Sequence, residues 1–384
     1  MDAEQRALEL MEQWDGELRR LLPDGADIFD VHLHLGNDID GMVGDYDQLE
    51  ATMGRYGISR AFVFCLDEPD REPSFTAAND RTLAFAARSA GRLIPFVRLD
   101  LNSDPLAEAR RCLDAGARGI KLHPRAQKFT ATDERLGPVF ELAAERRVPI
   151  LIHGGRGLPP IADGLRALVD RYPEATLIIA HAGIADLAEL ARCMAGRKGV
   201  LFDTSTWSPI DLLDFYRQIP PEQVVYASDY PYGQQPASLL IALKTARVAG
   251  YSDVQVRALL AGTANALADG EPLPEPTTPL GVDSFTQPLQ LARIHQYLSM
   301  VTPLLWMRQP DTSGMLGLAI NTCAERNGQA DAVDRIRELL VAARDLWTTV
   351  PELTGEAEQR SAMRLTFRLV HLADIEAVTA NVSS

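Results

Sequence analysis

Between residues 27 and 270 the sequence alternates short apolar runs with longer amphipathic ones, eight times over. The short runs are Asp27–Leu35, Arg60–Leu66, Leu93–Leu101, Gly119–His123, Val148–His153, Ala175–His181, Val200–Asp203 and Val224–Ala227. Each is rich in Val, Ile, Leu or Phe and bounded by Gly, Pro or a charged residue, which predicts strands buried on both faces. Helical stretches lie between them, among them Pro73–Ala90, Pro105–Ala115, Asp133–Arg146, Ile161–Tyr172 and Ala185–Ala195, and Ser252–Ala268 closes the series. Strands recurring every roughly 25 to 30 residues with helices between them read as parallel βα units. Eight such units favour a closed barrel. An open dinucleotide-binding sheet would carry GxGxxG after its first strand, and none is present. The expected fold is α/β, a (β/α)8 TIM barrel with a C-terminal all-helical appendage.

The chain has 384 residues, whereas a barrel takes about 250, so more than a barrel is present. Residues 1–26 read as an N-terminal helical segment and 27–269 as the barrel. The run GEPLPEPTTPLG at 270–281 is too rich in proline to continue a helix and marks a semi-rigid linker over 270–282. Residues 283–384 read as a helical domain: Val333, Ile336, Leu340, Ala343 and Trp347 recur at helical spacing, as do Met363, Phe367 and Val370. This domain carries no chemical motif, and its histidines, His295 and His371, read as packing or surface residues. It is expected to serve as a homo-oligomerisation or protein-docking element, with covering the pocket mouth as another role open to it.

The formal net charge of −15 offers no basic stripe to neutralise a phosphate backbone, so a nucleic-acid partner is not expected. No run approaches 18 uncharged apolar residues, so no membrane span is expected either. Cys65, Cys112, Cys193 and Cys323 are far apart, without a CxxC pair, and read as reduced core residues. The N-terminus is charged and lacks the apolar core of a secretory leader, which together with the thiols points to the cytoplasm.

Chemistry concentrates in the histidines. In DVHLH, His32 and His34 lie two residues apart at the end of the first strand and share one face, about 6.5 to 7 Å apart at Cα. Two imidazoles at that separation can lean onto one ion. His123 (GIKLHP), His153 (PILIHGG) and His181 (LIIAHAG) end strands four, five and six, and Asp229 (YASDYP) follows strand eight. Five of seven histidines thus fall at carboxyl ends of strands, the rim where such barrels place active sites. Histidines scattered for packing have no reason to collect there. A metal site is expected.

Across about residues 27–269 the sequence resembles the amidohydrolase superfamily, within it the amidohydrolase-related branch that includes the aminocarboxymuconate-semialdehyde decarboxylase-like enzymes. DVHLH, GIKLHP, the HGG and AHAG turns, SDYP and the closing LLAGTANALA helix carry the resemblance. It implies that His32, His34, His153 and Asp229 ligate a divalent metal, usually Zn²⁺ with Mn²⁺ or Fe²⁺ as alternatives, and that His181 is the acid–base residue. Three imidazoles and a carboxylate also suit Zn²⁺ chemically, with an open position for water or substrate. Asp229 can bind weakly and accept a proton as well. Lys121 shares a face with His123. Elsewhere in the superfamily a lysine here is carbamylated and bridges two metals, which would recruit Lys121 and His181 as ligands. A single metal is preferred, with Lys121 and His123 as substrate contacts. Arg125, Arg156 and Trp207 are further candidates for substrate binding, and alternation places Asp30 on the histidine side, where it would orient a ligand.

The reaction these residues imply is hydrolysis of a C–N or C–O bond of a small molecule by a metal-activated water. The same residues serve nonoxidative decarboxylation of a small unsaturated or aromatic acid. A third reading makes the barrel a scaffold and the helical region an interaction module.

Overall fold

The computed structural model describes residues 2–281, 285–309, 311–325 and 330–380, apart from the Trp306 side chain. The expected boundary at 282 and 283 lies outside the described residues. In chain order the strands are β1 (Ile28–Asn37), β2 (Val43–Gly44), β3 (Ile58–Cys65), β4 (Leu93–Pro95), β5 (Val97–Arg98), β6 (Ile120–Leu122), β7 (Ile150–Ile152), β8 (Leu177–Ile179), β9 (Val200–Asp203) and β10 (Val224–Val225). All but β2 run parallel, and they close on themselves. The β4–β5 strand breaks at Phe96, whose N–H still reaches the Val63 carbonyl at 2.8 Å. The seam between first and last strands is zipped by Val31 N–H to Tyr226 O (3.0 Å), Asp229 N–H to His32 O (2.8 Å) and His34 N–H to Tyr230 O (2.7 Å).

Each predicted barrel strand is present, and several stop sooner than expected. Pairing ends at Leu122, Ile152 and Ile179, so His123, His153 and His181 stand just beyond it, where the backbone turns away. Phe29, Val31, Phe62, Phe64, Ile94, Phe96, Leu151, Ile178, Leu201 and Val225 plug the inside of the barrel, while a second layer packs strands against helices. Asp104–Pro105 and Ser208–Pro209 start two of those helices, each with a side chain accepting a backbone N–H ahead of a proline in the first turn.

Two elements escaped the sequence reading. β2 folds back antiparallel on the end of β1, with Gly36 opposite Gly44, and is too short to show alternation. Gln235–Val248 forms a helix buried from Gln235 to Leu243 on every side, so it lacks the polar face that marks a helix in sequence.

The reason for that burial lies outside the barrel. The N-terminal helix Ala3–Leu21 and the four helices Leu289–Trp306, Thr312–Cys323, Ala330–Thr349 and Glu356–Thr379 form a bundle. Its last helix packs on Gln235–Val248 and is buried without interruption from Leu369 to Thr379. Lys244 of the barrel helix meets Glu17 (2.9 Å) and Glu376 (2.6 Å), and Arg335 meets the same two carboxylates. Lys244 and Arg335 also flank the Trp14 ring. Residues 271–281 of the proline-rich segment form no helix or strand and are pinned to the barrel, Thr277 donating twice to Glu222. Among the described residues no helix is long and apolar enough to cross a membrane.

Candidate active site

His32 and His34 emerge from β1 into the barrel mouth and are almost fully buried. The Nδ1–H of His32 donates to Asp203 Oδ2 at 2.7 Å, and that of His34 to the Cys65 carbonyl at 3.3 Å. Each imidazole therefore turns Nε2, with its lone pair, toward the cavity. Asp229 Oδ1 lies 3.2 Å from His32 Nε2 and 3.3 Å from His34 Nε2. Among the described residues, these three side chains are the group able to share one ion. Ligands about 2.0–2.2 Å from a tetrahedral ion lie roughly 3.4 Å apart, so this donor set fits a divalent metal.

The surroundings set the charge states. Burial pushes His32 well below the usual imidazole range, assisted by Lys121, and pushes His34 down as well. Burial alone would raise Asp229, but the facing His32, His34 and His181 outweigh it and hold the carboxyl at about 2. Neutral imidazoles and an ionised carboxylate are the forms that ligate. Lys121, on β6, is fully buried, with Nζ 3.2 Å from His32 Nε2 and 4.5 Å from the centre of the Phe64 ring. Burial lowers it to about 7, despite Asp229 and Asp203.

His153 stands apart from the three-residue group. Its Nδ1 lies 2.9 Å from His181 Nε2, and its ring stacks on His123 with centroids 3.9 Å apart. His123 accepts the Ala126 N–H at Nδ1 (3.2 Å). His181 Nδ1 lies 2.8 Å from the Ser205 carbonyl, to which it donates. These three rings are half-buried and form the more open side of the site. The HGG turn makes room for them: a Cβ on Gly155 would sit 2.9 Å from two atoms of the His153 ring. His181 and Asp229 both adopt left-handed backbone (φ 58°), a strain of about 1 kcal/mol or more per residue that tends to be tolerated at functional sites.

The other expected residues lie farther out. Arg156 is exposed and ion-paired to Asp211, and Arg125 is exposed beside Gly157. Trp207 is half-buried, its ring edge-on to Phe367 and its carbonyl accepting from His371 Nε2 (3.0 Å). Asp30 touches no ligand ring. A break in the β1 register between Asp30 and Leu33 defeats the alternation that placed it with the histidines. Its carboxylate instead accepts the backbone N–H of His32 and Ser228 and the amide of Gln235, and burial raises it to about 6.

Asp203 takes the orienting part. Besides His32, it accepts the backbone N–H of His181 (2.8 Å) and of Ser205 (3.0 Å), so one carboxylate braces both sides of the site. Arg98 was also missed. It lies opposite Lys121 in the β5–β6 register, is buried, and shares the Cys65 carbonyl with His34. Both end a barrel strand, the same positional signal that singled out the histidines.

The amidohydrolase family profile matches residues 29–267. No curated protein sequence matches the chain. Among solved structures, an uncharacterized TIM-barrel protein of Bordetella bronchiseptica superposes with a TM-score of 0.51 at 15% identity, covering 63% of this chain and 98% of its own. The 5-carboxyvanillate decarboxylase of Sphingomonas paucimobilis gives 0.48 at 15% identity, covering 64% and 99%. The 4-oxalomesaconate hydratase of Rhodopseudomonas palustris gives 0.47 at 16%, covering 63% and 95%. With its barrel, its histidine-rich rim and the match over most of its length, this chain belongs to the amidohydrolase family of metal-dependent enzymes.

Proposed function

We propose that the protein hydrolyses a C–N or C–O bond of a small molecule, using a Zn²⁺ ion held by His32, His34 and Asp229, with His153 as a further imidazole ligand. The convergence of two imidazole Nε2 atoms on one Asp229 oxygen, with Asp203 fixing His32 from behind, carries this reading. When bound, such an ion acts as a Lewis acid and lowers the pKa of water from 15.7 toward about 7. Asp229 keeps a second carboxylate oxygen with which to take up a proton. His181, held at Nδ1 by the Ser205 carbonyl and touching His153 Nδ1 through Nε2, stands on the open side, where as an imidazolium it can give the Nε2 proton to a leaving group that displaces His153. His123 and Lys121 contact the substrate in this reading, whereas Arg156 is engaged by Asp211.

Decarboxylation of a small acid is the second reading. Arg98 and Lys121 favour it, because two buried basic residues paired across β5 and β6 suit a substrate carboxylate, with Asp67 standing 3.9 Å from Arg98 Nη2. Arg98 Nε is buried with no hydrogen-bond partner among the described residues.

Elemental analysis of the purified protein tests the metal centre. We expect one divalent ion per chain, lost in His32→Ala and Asp229→Ala. Absence of metal from all three would leave the barrel a scaffold. With an acid substrate, CO2 release without uptake of water would decide for decarboxylation.

A further inference from the structure

The loops after the first and last barrel strands lie beside the helical bundle, with Asp40 and Gly41 exposed. Asp40–Met42 and Pro231–Gln234 face the helical bundle across a cavity of about 280 Å³. On the last helix, Arg360, Met363, Arg364 and Phe367 are spaced i, i+3, i+4, i+7 and so share one face, and all four line the cavity. Arg308 joins them from just beyond the helix Leu289–Trp306. The bundle residues among them lie outside the span shared with the family.

The charges here are poorly neutralised. Among the described residues, no carboxylate lies within ion-pairing distance of Arg308 or Arg364; Arg364 Nη2 reaches only Met42 Sδ, at 3.9 Å. Arg360 pairs with Glu356, an exposed residue one turn back on its own helix, at 3.3 Å. Such a pair is weak and easily exchanged. Asp40, the acid in the lining, accepts a hydrogen bond from Tyr232 Oη at 3.1 Å. In a chain of net charge −15, guanidinium groups gathered round a cavity with methionine and phenylalanine walls repel one another. A shared anion relieves that repulsion, and the planar fork of arginine suits carboxylate or phosphate oxygens.

Tyr232 joins this cavity to the metal-ligand group. It lines the cavity and stands edge-on to His34, with ring centroids 6.1 Å apart and planes at 87°. We infer that the helical bundle supplies a second binding site, in which Arg360 and Arg364, with Arg308, hold a carboxylate or phosphate on an apolar body. This site grips the far end of an extended substrate whose reacting end lies at His34 and Asp229. That last step rests on the proposed metal centre; the anion site does not.

Calorimetric titration of the full-length protein, stripped of metal with EDTA, tests it with benzoate, phenyl phosphate and neutral benzyl alcohol. Stripping removes any contribution from anions bound to metal. The expected result is saturable binding of an aryl anion, weakened by added salt, with benzyl alcohol at least about tenfold weaker. The preference between benzoate and phenyl phosphate identifies the group read. Arg360→Gln with Arg364→Gln, both exposed positions, should weaken anion binding by about tenfold or more with an unchanged melting temperature. The proposal fails if no aryl anion binds below about 10 mM, if benzyl alcohol binds as tightly, or if the double variant binds unchanged. Should the double variant not fold, the comparison with benzyl alcohol and the salt dependence still decide. Anion binding by a protein that never takes up metal would sink the metal centre and leave this site standing.

Discussion

Asp203 serves two histidines at once, and its loss separates orientation from ligation. With Asn there, His32 keeps its place in the chain but loses the charge that fixes its tautomer and raises its basicity. Asp203→Asn should therefore retain the fold and bind metal about 10–100-fold more weakly, read by titration against a competing chelator. Unchanged affinity would show that packing alone orients the ring. The histidines and Asp229 were legible in the sequence because the end of a barrel strand is a position that a hydrophobic pattern reveals. Asp203 and Arg98 occupy the same kind of position, but a single Asp or Arg at a strand end carries no metal-binding signal of the kind that recurring imidazoles give. Asp30 was misplaced for a different reason: alternation holds only while the ladder is regular, and β1 is not regular there. Tyr232 sits in a loop, where no periodicity applies.

Among the elements, the last helix shows how polar residues survive in a core. His371 donates to the Trp207 carbonyl, Asp374 meets His295 Nδ1 at 2.6 Å, and Glu376 meets Lys244. Burial alone would lower the pKa of His295, but the Asp374 carboxylate, with Asp211 adding, raises it above 6.5. The folded state then binds this proton more tightly than the unfolded chain does. That stabilisation is complete below pH 6.5 and fades as pH rises through the folded value. His295→Gln should cost about 2 kcal/mol in urea unfolding near pH 6 and progressively less in alkaline buffer. A cost that does not change with pH would mean the pair is held by packing, not charge. In sequence these helices announced themselves by spacing, but their partners did not. Met363 and Phe367 announce a helix by their spacing, and the structure sets both on the cavity beside the barrel.

At the scale of the molecule, the proline-rich segment reads as a semi-rigid linker, and the parts it joins are packed against each other. Gln235–Val248 is shielded by the last helix and the N-terminal helix, and its Lys244 is ion-paired to Glu17 and Glu376. Removing residues 282–384 would uncover that apolar surface and take Glu376 away from Lys244, leaving Glu17 as its partner. The 1–281 fragment should be poorly soluble and melt well below the full chain, measured by soluble yield and thermal denaturation. An equally stable fragment would show that the barrel stands alone. Apart from β2 and Gln235–Val248, the order and type of the elements were legible because each follows from local pattern. The docking of bundle on barrel was not, since it is made by side chains far apart in sequence.

Glu356–Thr379 is one continuous rod, gripped in the interior along its second half and bearing arginines along its first. A shift of one residue in the gripped half would carry the arginines about 1.5 Å along the axis. Ligand preference and structural integrity are thus inherited together. A lineage could retune the ligand it favours by repacking residues that never approach it.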